Sequence, residues 1–261
     1  MNEEDKNDFF RLFNEVDENN SSACDKFFEN QNFFPGNVIG QKHLPYDRFE
    51  IYEFNLKLLK ENFPEKFDKV HKGTPYYFLG WTAFDFRDYE RAVFYMDAAI
   101  SEDARIDPSN WQNRPASQFL FLKSSGQVAE RNIKNINAQF GKIIKEFNNS
   151  FKSNLSVEDF VNKFVNKNLN DKMHRSIITS IYSFSLELDD RLNQLKIRSK
   201  DGGSLEPFLT HLFKGCLVFE SILKEVYTSF STMELGSILK DQFVSQDLKY
   251  KSFLIDSTSG I

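Results

Sequence analysis

Histidine is the side chain that most often combines acid–base chemistry with metal binding near neutral pH. The chain has only four, at positions 43, 71, 174 and 211. No two of them are three or four residues apart, the spacing that places two ligands on one helix face, so we expect no metal site. His211 lies in an apolar segment near Arg198 and Lys200. We interpret it as a partly buried, hydrogen-bonded structural histidine, with a phosphate or RNA site as the alternative.

Other catalytic patterns give no support to nucleotide hydrolysis or ordinary acyl transfer. The sequence has no Gly-Lys-Ser or Gly-Lys-Thr triplet, and none of its serines lies in a nucleophile elbow. Two cysteines, Cys24 and Cys216, are too few for a zinc site or a disulfide framework. They are typical of free thiols in a reducing compartment. We therefore expect no cofactor.

A run of acidic residues is a candidate cation site. Glu187, Asp189 and Asp190 directly precede Arg191. Successive residues of a helix point in different directions, so these carboxylates do not converge. We interpret the run as a solvated helix face with local ion pairs.

Arginine and aromatic residues alternate over a short part of the chain. Trp81, Arg87, Arg91 and Tyr95 belong to the residue types that are enriched at binding hot spots. Packing in the core is the alternative explanation for the aromatic members. We predict that these four residues line a groove for a protein or peptide partner.

The composition describes a soluble globular protein. The 261 residues include 33 basic and 38 acidic side chains, a net charge of −5, which argues against a protein built chiefly to hold nucleic acid or anionic lipid. The acidic start and the lack of a long apolar run predict neither a secretory signal nor a membrane span, so we expect a cytoplasmic location. The 29 phenylalanines fit either core filling or the codon usage of a genome rich in A and T.

The elements that must position these residues are helices, because apolar residues recur every three or four positions throughout the chain. Loops are expected at 19–22, at 124–126 and at 200–204. Thr74 is expected to cap the helix that follows it, since Pro75 suits the first helical position. The predicted helices span residues 3–16, 45–63, 64–71, 75–86, 89–101, 115–122, 128–147, 156–165, 171–197, 205–227 and 233–243.

The helix pair at 75–108 resembles a single tetratricopeptide repeat. Gly80, Ala92 and Ala99 lack bulk, so the two helix axes can approach to roughly 8–10 Å. Ala83, Met96 and Ala104 depart from the family pattern. The residues that match it are Tyr76, Leu79, Gly80, Asp88, Tyr89, Glu90, Ala92 and Ala99. The resemblance implies a helical hairpin that stacks on similar neighbours and presents a groove to a peptide or protein.

The two long helices at 170–227 resemble in shape the helical HEPN domains of prokaryotic defence and toxin systems. That family places a histidine four to six residues after an arginine. Here Arg198 lies thirteen positions before His211, and Arg191 lies twenty before it. The resemblance implies ribonuclease-like action, with Arg191, Arg198 and His211 as its candidate catalytic residues.

Together these patterns predict an all-α protein with repeat-like helical hairpins followed by a C-terminal helical bundle. We expect a helical region at 1–110 and the bundle at 111–261, which either supports the first region or mediates formation of a homo-oligomer. The expected function is that of a non-catalytic protein-interaction module, an adaptor or scaffold. A nucleic-acid-acting protein of the HEPN-like kind is the alternative function.

Overall fold

The prediction of an all-α fold is confirmed. In the computed structural model of the chain, every regular element among the described residues is helical. The structure describes residues 2–36, 44–123, 127–166, 169, 172–201, 205–227, 229 and 231–240, apart from the side chains of residues 127, 128, 172, 173, 197–201 and 226.

Twelve α-helices lie within these residues. A 3₁₀ turn at Trp111–Asn113 precedes the seventh, and a π-helical turn at Val161–Val165 continues the ninth. The α-helices are α1 (Glu3–Glu15), α2 (Ser21–Phe28), α3 (Pro45–Asn62), α4 (Pro64–Lys69), α5 (Gly73–Asp85), α6 (Tyr89–Ile106), α7 (Pro115–Leu120), α8 (Gln127–Phe151), α9 (Val157–Phe160), α10 (Lys172–Asp201), α11 (Glu206–Val226) and α12 (Leu235–Lys240).

Short polar side chains cap several of these helices. The side chain of Asn20 accepts a hydrogen bond from the amide of Ala23, so α2 begins inside the segment expected to be a loop. Ser156 and Asp159 form a capping box in both directions. Thr74 does not cap α5, because its hydroxyl donates to Asp25 at 2.7 Å. The prediction for Thr74 is therefore wrong, since a partner distant in the sequence takes the hydroxyl.

Helices α5 and α6 form the predicted tight pair. A Cβ atom at Gly80 would lie 3.0 Å from Met96 Cε and 3.2 Å from the carbonyl oxygen of Ala92. Ala92 and Ala99 are fully buried. The small residues therefore allow the two helices to approach closely, as the sequence predicts.

Aromatic rings fill the core of the larger part of the chain. The rings of Trp81 and Phe119 meet edge to face at 5.9 Å, and Tyr182 packs against Phe119 at 5.3 Å. The hydroxyl of Tyr182 donates to the carbonyl oxygen of Leu120. Edge-to-face contacts of this kind are favourable, and the buried hydroxyl keeps a hydrogen-bond partner. Many of the phenylalanines thus fill the core, whereas others, such as Phe94 and Phe151, are exposed.

A buried arginine connects α10 to α6. The Nε atom of Arg175 donates to Asp97, and one terminal nitrogen donates to the hydroxyl of Ser101 at 2.8 Å. The guanidinium also lies 6.0 Å from the ring centre of Trp111. Arg175 therefore holds the first half of α10 against α6.

The chain divides into two compact units, Met1–Asp190 and Arg191–Ile261. The sequence-based prediction is of regions 1–110 and 111–261. One continuous core extends from Phe9 to Leu186. Trp111, Phe119 and Tyr182 belong to that core, so the segment after 110 completes the first unit. The sequence pattern marks helices but does not show which of them share a core.

The second unit contains the end of α10, together with α11 and α12. Leu223 of α11 and Ile238 of α12 form a small separate cluster with Tyr227 and Met233 at its margin. The helix predicted at 205–227 is confirmed, and the one predicted at 233–243 is described as Leu235–Lys240. Most of the loop predicted at 200–204 lies outside the described residues.

Candidate functional site

Two of the four predicted binding residues, Arg91 and Tyr95, lie together on α6 facing α3. The guanidinium of Arg91 lies 5.5 Å from the ring centre of Phe49, and the ring of Tyr95 lies 5.7 Å from the same ring. Arg91 Nε is 3.3 Å from Asp88, the residue that caps α6. Both side chains are thus held in place by α3 and by the start of α6.

Two exposed aromatic rings are connected to this pair by ring contacts. Tyr46 of α3 is 56% exposed and Phe94 of α6 is 64% exposed. Tyr46 contacts the ring of Phe86 at 5.9 Å, and Phe94 contacts the ring of Tyr95 at 5.2 Å. We call the surface formed by Tyr46, Arg91, Phe94 and Tyr95, with the buried ring of Phe49 beneath Arg91, the α3–α6 surface. It combines an apolar area with one cation on rigid helices.

A hydrogen bond between the two helices fixes one side of this surface. The hydroxyl of Tyr95 donates to Glu53 Oε1 at 2.6 Å. Burial raises the pKa of Tyr95, and the bond to the Glu53 carboxylate raises it further. Tyr95 therefore stays protonated and keeps Glu53 at the boundary between the two helices.

Glu53 also lines a cleft of about 1090 Å³ that is bordered by α1, the turn after α2, and α3. Four further carboxylates and one lysine lie along this cleft, which we call the acidic cleft. Phe54, 55% exposed, contributes an apolar side chain to its wall. The charged residues are Asp5, Asp8, Asp47, Glu50 and Lys57. The cleft therefore favours positively charged groups.

The other two predicted binding residues lie elsewhere. Trp81 is 1% exposed and packs against Tyr77 and Phe119, so its indole belongs to the core. Arg87 occupies the turn between α5 and α6 with a φ of 64° and forms an ion pair with Asp190 at 3.0 Å. The alternative explanation by core packing thus applies to Trp81.

Sequence reasoning missed Tyr46, Glu53 and Phe94. Phe94 follows Arg91 by three residues, which places both on one face of α6. An aromatic residue on the charged face of an amphipathic helix is the signal that could have identified it. Nothing in the local sequence indicates that Glu53 meets Tyr95, because these residues are 42 positions apart.

A second group of interacting ionisable residues is buried around His71. Its Nε2 atom is 3.0 Å from Asp103 Oδ1, and its Nδ1 atom is 3.4 Å from Asp25 Oδ1. The same Asp25 oxygen accepts from the hydroxyl of Thr74. A Cβ atom at Gly73 would lie 2.6 Å from His71 Nε2, so only glycine fits beside the ring. The cluster joins α2 and α6 to the start of α5.

The electrostatics of this cluster favour a charged imidazole. Burial lowers the pKa of His71, but the bonds to Asp103 and Asp25 outweigh this and raise it to about 9. Burial raises the pKa of the neighbouring Cys24 thiol, and that side chain is fully buried. Cys24 is therefore not a thiolate nucleophile, and the cluster is a structural network.

The candidate catalytic residues of the HEPN-like alternative do not form a described site. His211 is 2% exposed, and a side chain buried to that extent does not reach a phosphate in solvent. Arg191 lies 3.4 Å from the side chain of Gln194 on its own helix. The side chain of Arg198 lies outside the described residues, as does His43.

The acidic run on α10 is only in part the solvated face with local ion pairs that its sequence predicts. Glu187 is 8% exposed and accepts from the hydroxyl of Ser183. Asp189 pairs with Lys142, and Asp190 pairs with Arg87, so both ion pairs are long-range. Within the described part of the chain, no group of three His, Cys, Asp or Glu residues is arranged to hold a metal ion.

No protein-family model, no curated protein and no solved structure matches this chain. Among the described helices, none combines the length and the apolar character that crossing a membrane requires.

Proposed function

We propose that this chain is a non-catalytic protein-interaction module, an adaptor or scaffold, whose α3–α6 surface binds a protein or peptide. The observation that carries this proposal is the pair of exposed rings, Tyr46 and Phe94, at the two ends of a series of ring contacts that runs through Phe49, the ring over which Arg91 lies. Aromatic and arginine side chains are the types most enriched at binding hot spots. Because α3 and α6 hold them rigidly, little conformational freedom is lost when a partner binds.

The charges next to this surface favour a basic partner. Glu53 lies at the edge of the α3–α6 surface, where it bonds to Tyr95, and it also lines the acidic cleft. A segment that places an apolar side chain between Tyr46 and Phe94 could extend lysine or arginine residues into the cleft. Opposite charges at the rim increase the association rate and select among partners. The proposed partner is therefore a protein segment with an apolar anchor next to basic residues.

The proposal includes two further expectations. The α5–α6 hairpin would act like a tetratricopeptide repeat in presenting a groove to a partner, and the protein would be cytoplasmic. The close approach at Gly80 supports the first, because a repeat of that family needs small residues between its helices. The free thiols of Cys24 and Cys216 support the second, since unpaired cysteines are usual in reducing compartments.

Site-specific photocrosslinking tests the proposed surface. A photoreactive phenylalanine analogue at position 94 should capture a partner in cells of the source organism. The same analogue at Phe151, a ring of α8 that is 54% exposed against 64% for Phe94, serves as the matched control. Capture from both positions alike, or from position 151 only, would contradict the proposal.

The captured partner then permits a quantitative measurement. Replacing Tyr46 and Phe94 together with alanine should weaken its binding at least about tenfold, the effect expected of hot-spot residues. Glu50→Lys should also weaken partner binding. The loss of affinity should be larger at low salt than at high salt, since salt screens the electrostatic attraction. The same two alanine replacements at Phe147 and Phe151 should leave the affinity unchanged.

A further inference from the structure

Helix α11 is apolar on an exposed side. Six large apolar side chains of this helix and its N-cap are between 39 and 65% exposed. They are Leu205, Leu209, Leu212, Phe213, Leu217 and Phe219. A helix that is apolar on its outer side as well as on its inner side is normally covered by another element.

The exposed residues follow the spacing of a helix that pairs with another helix. Leu205, Leu209, Leu212, Cys216 and Phe219 are separated by four, three, four and three residues. This is the heptad pattern of a coiled-coil contact line, here about 21 Å long at 1.5 Å per residue. Phe213 lies directly beside it, and Leu217 follows Phe213 by about one helical turn. We call these seven residues the α11 stripe.

At its C-terminal end, the contact line of α11 is covered by another helix of the same chain. Leu223, four residues after Phe219, is 3% exposed because Ile238 of α12 packs on it. Within the described residues, α12 covers only this end. The position of α12 shows that this side of α11 accepts a second helix.

Charge and area favour a second copy of the chain as the occupant. From 207 to 219 the only lysine, arginine or acidic residue is Lys214, which lies on the far side of the helix from Leu205. Two stripes can therefore meet without like charges in contact, as a self-complementary interface requires. The stripe carries on the order of 500 Å² of apolar surface, most of the roughly 800 Å² that each partner gives to a standard interface.

We propose that the chain forms a symmetric homodimer by pairing the α11 stripes of two copies. The proposal rests on α11 alone and is independent of the partner proposed for the α3–α6 surface. It assigns to the second unit the role of self-association.

Mass measurement in solution tests this proposal. At roughly 100 µM, far above the Kd of a stable dimer, the full chain should have twice its monomer mass of 30.6 kDa. The double variant Leu212→Glu, Phe213→Glu should have the monomer mass, because two carboxylates would be buried in the interface. Phe151→Glu, on an exposed ring of α8, should remain dimeric. Circular dichroism checks that all three keep their helix content.

A milder variant covers the case in which the double variant fails to fold. Leu209→Ala should leave the helix content unchanged and weaken the dimer Kd about tenfold. A parent chain that stays monomeric at this concentration overturns the proposal. If the parent is monomeric and Leu212→Glu lowers its melting temperature, the stripe is covered within a single chain, which also overturns the proposal. A double variant that remains dimeric also overturns it.

Discussion

At His71, burial and two carboxylates act on the same ring in opposite directions, and the balance decides how the first unit responds to pH. The pKa of His71 is raised from 6.5 to about 9 in the folded chain. A raised pKa stabilises the fold fully below pH 6.5, and this contribution disappears as the pH rises to about 9. The free energy of unfolding should therefore fall by on the order of 3 kcal/mol over this range.

Urea titrations from pH 6.5 to pH 9 measure this effect. His71→Gln should abolish the decrease, because no titrating ring remains, whereas His174→Gln should retain it. A parent chain of constant stability between these pH values would show that the imidazole is neutral in the fold.

Substitution of two glycines that lie inside helices should change the stability of the fold in opposite directions. At Gly80 a Cβ atom would meet Met96 and the backbone of Ala92, so Gly80→Leu should destabilise the fold by about 3 kcal/mol. At Gly141 the nearest atom is 4.0 Å away, so Gly141→Ala should stabilise α8 by about 0.5–1 kcal/mol. Thermal melting of both variants tests this. Equal shifts of the same sign would contradict the tight packing at Gly80.

Single residues were predictable where their neighbours in the sequence determine their role. Gly80, Ala92 and Ala99 match the small positions of a tetratricopeptide-like pattern, and that resemblance predicts their contact. The roles of Thr74 and Glu187 could not be derived in that way. Thr74 bonds to Asp25, a residue 49 positions away, and Glu187 is buried by the tertiary structure. Local rules do not include such partners.

At the scale of helices, the buried Arg175 joins α10 to α6 by an ion pair with the partly exposed Asp97 and a hydrogen bond to Ser101. Arg175 is 6% exposed, so removing it leaves Asp97 without its partner. Arg175→Ala should destabilise the first unit by about 3 kcal/mol. Arg175→Met should cost less, because methionine retains apolar contact with Trp111.

Lys142→Met is the control for this prediction, since Lys142 and Asp189 form an exposed pair. It should change stability by less than about 1 kcal/mol. Chemical denaturation of the three variants gives the comparison. Similar losses for Arg175→Ala and Lys142→Met would show that the buried pair contributes no more than a surface pair.

Helices were predicted well wherever apolar spacing extends over three turns or more. Helices α3, α6, α8 and α11 lie within a few residues of their predicted bounds, except that α6 extends to Ile106. Helix α2 was missed because its eight residues follow an asparagine that was interpreted as part of a loop. Asn20 instead caps that helix, and short polar residues have the same preference for caps and for turns.

At the scale of the whole molecule, sequence spacing predicts the fold class, whereas the two compact units depend on contacts between distant residues. The boundary at Asp190 and Arg191 falls inside α10, where no loop residue marks it. The core is assembled from contacts as distant as that of Tyr182 with Leu120. Periodicity describes one helix at a time, so it does not contain this information.

The candidate surfaces follow the same division. The proposed partner surface lies in the first unit, and the proposed dimer contact lies in the second. Variants of one should therefore leave the other intact, because sites that share no contacts are usually additive. Phe94→Ala should remain dimeric, and Leu209→Ala should keep the affinity of its monomer for the partner. Loss of both properties in either variant would show that the two surfaces are coupled.

Both tryptophans of the chain, Trp81 and Trp111, are buried in the core of the first unit. Intrinsic indole emission is consequently a spectroscopic probe of the first unit, because the second unit contains no tryptophan. Far-ultraviolet dichroism sums the peptide signal of both. Denaturation curves recorded by the two methods would superimpose only if the units unfold as one cooperative system.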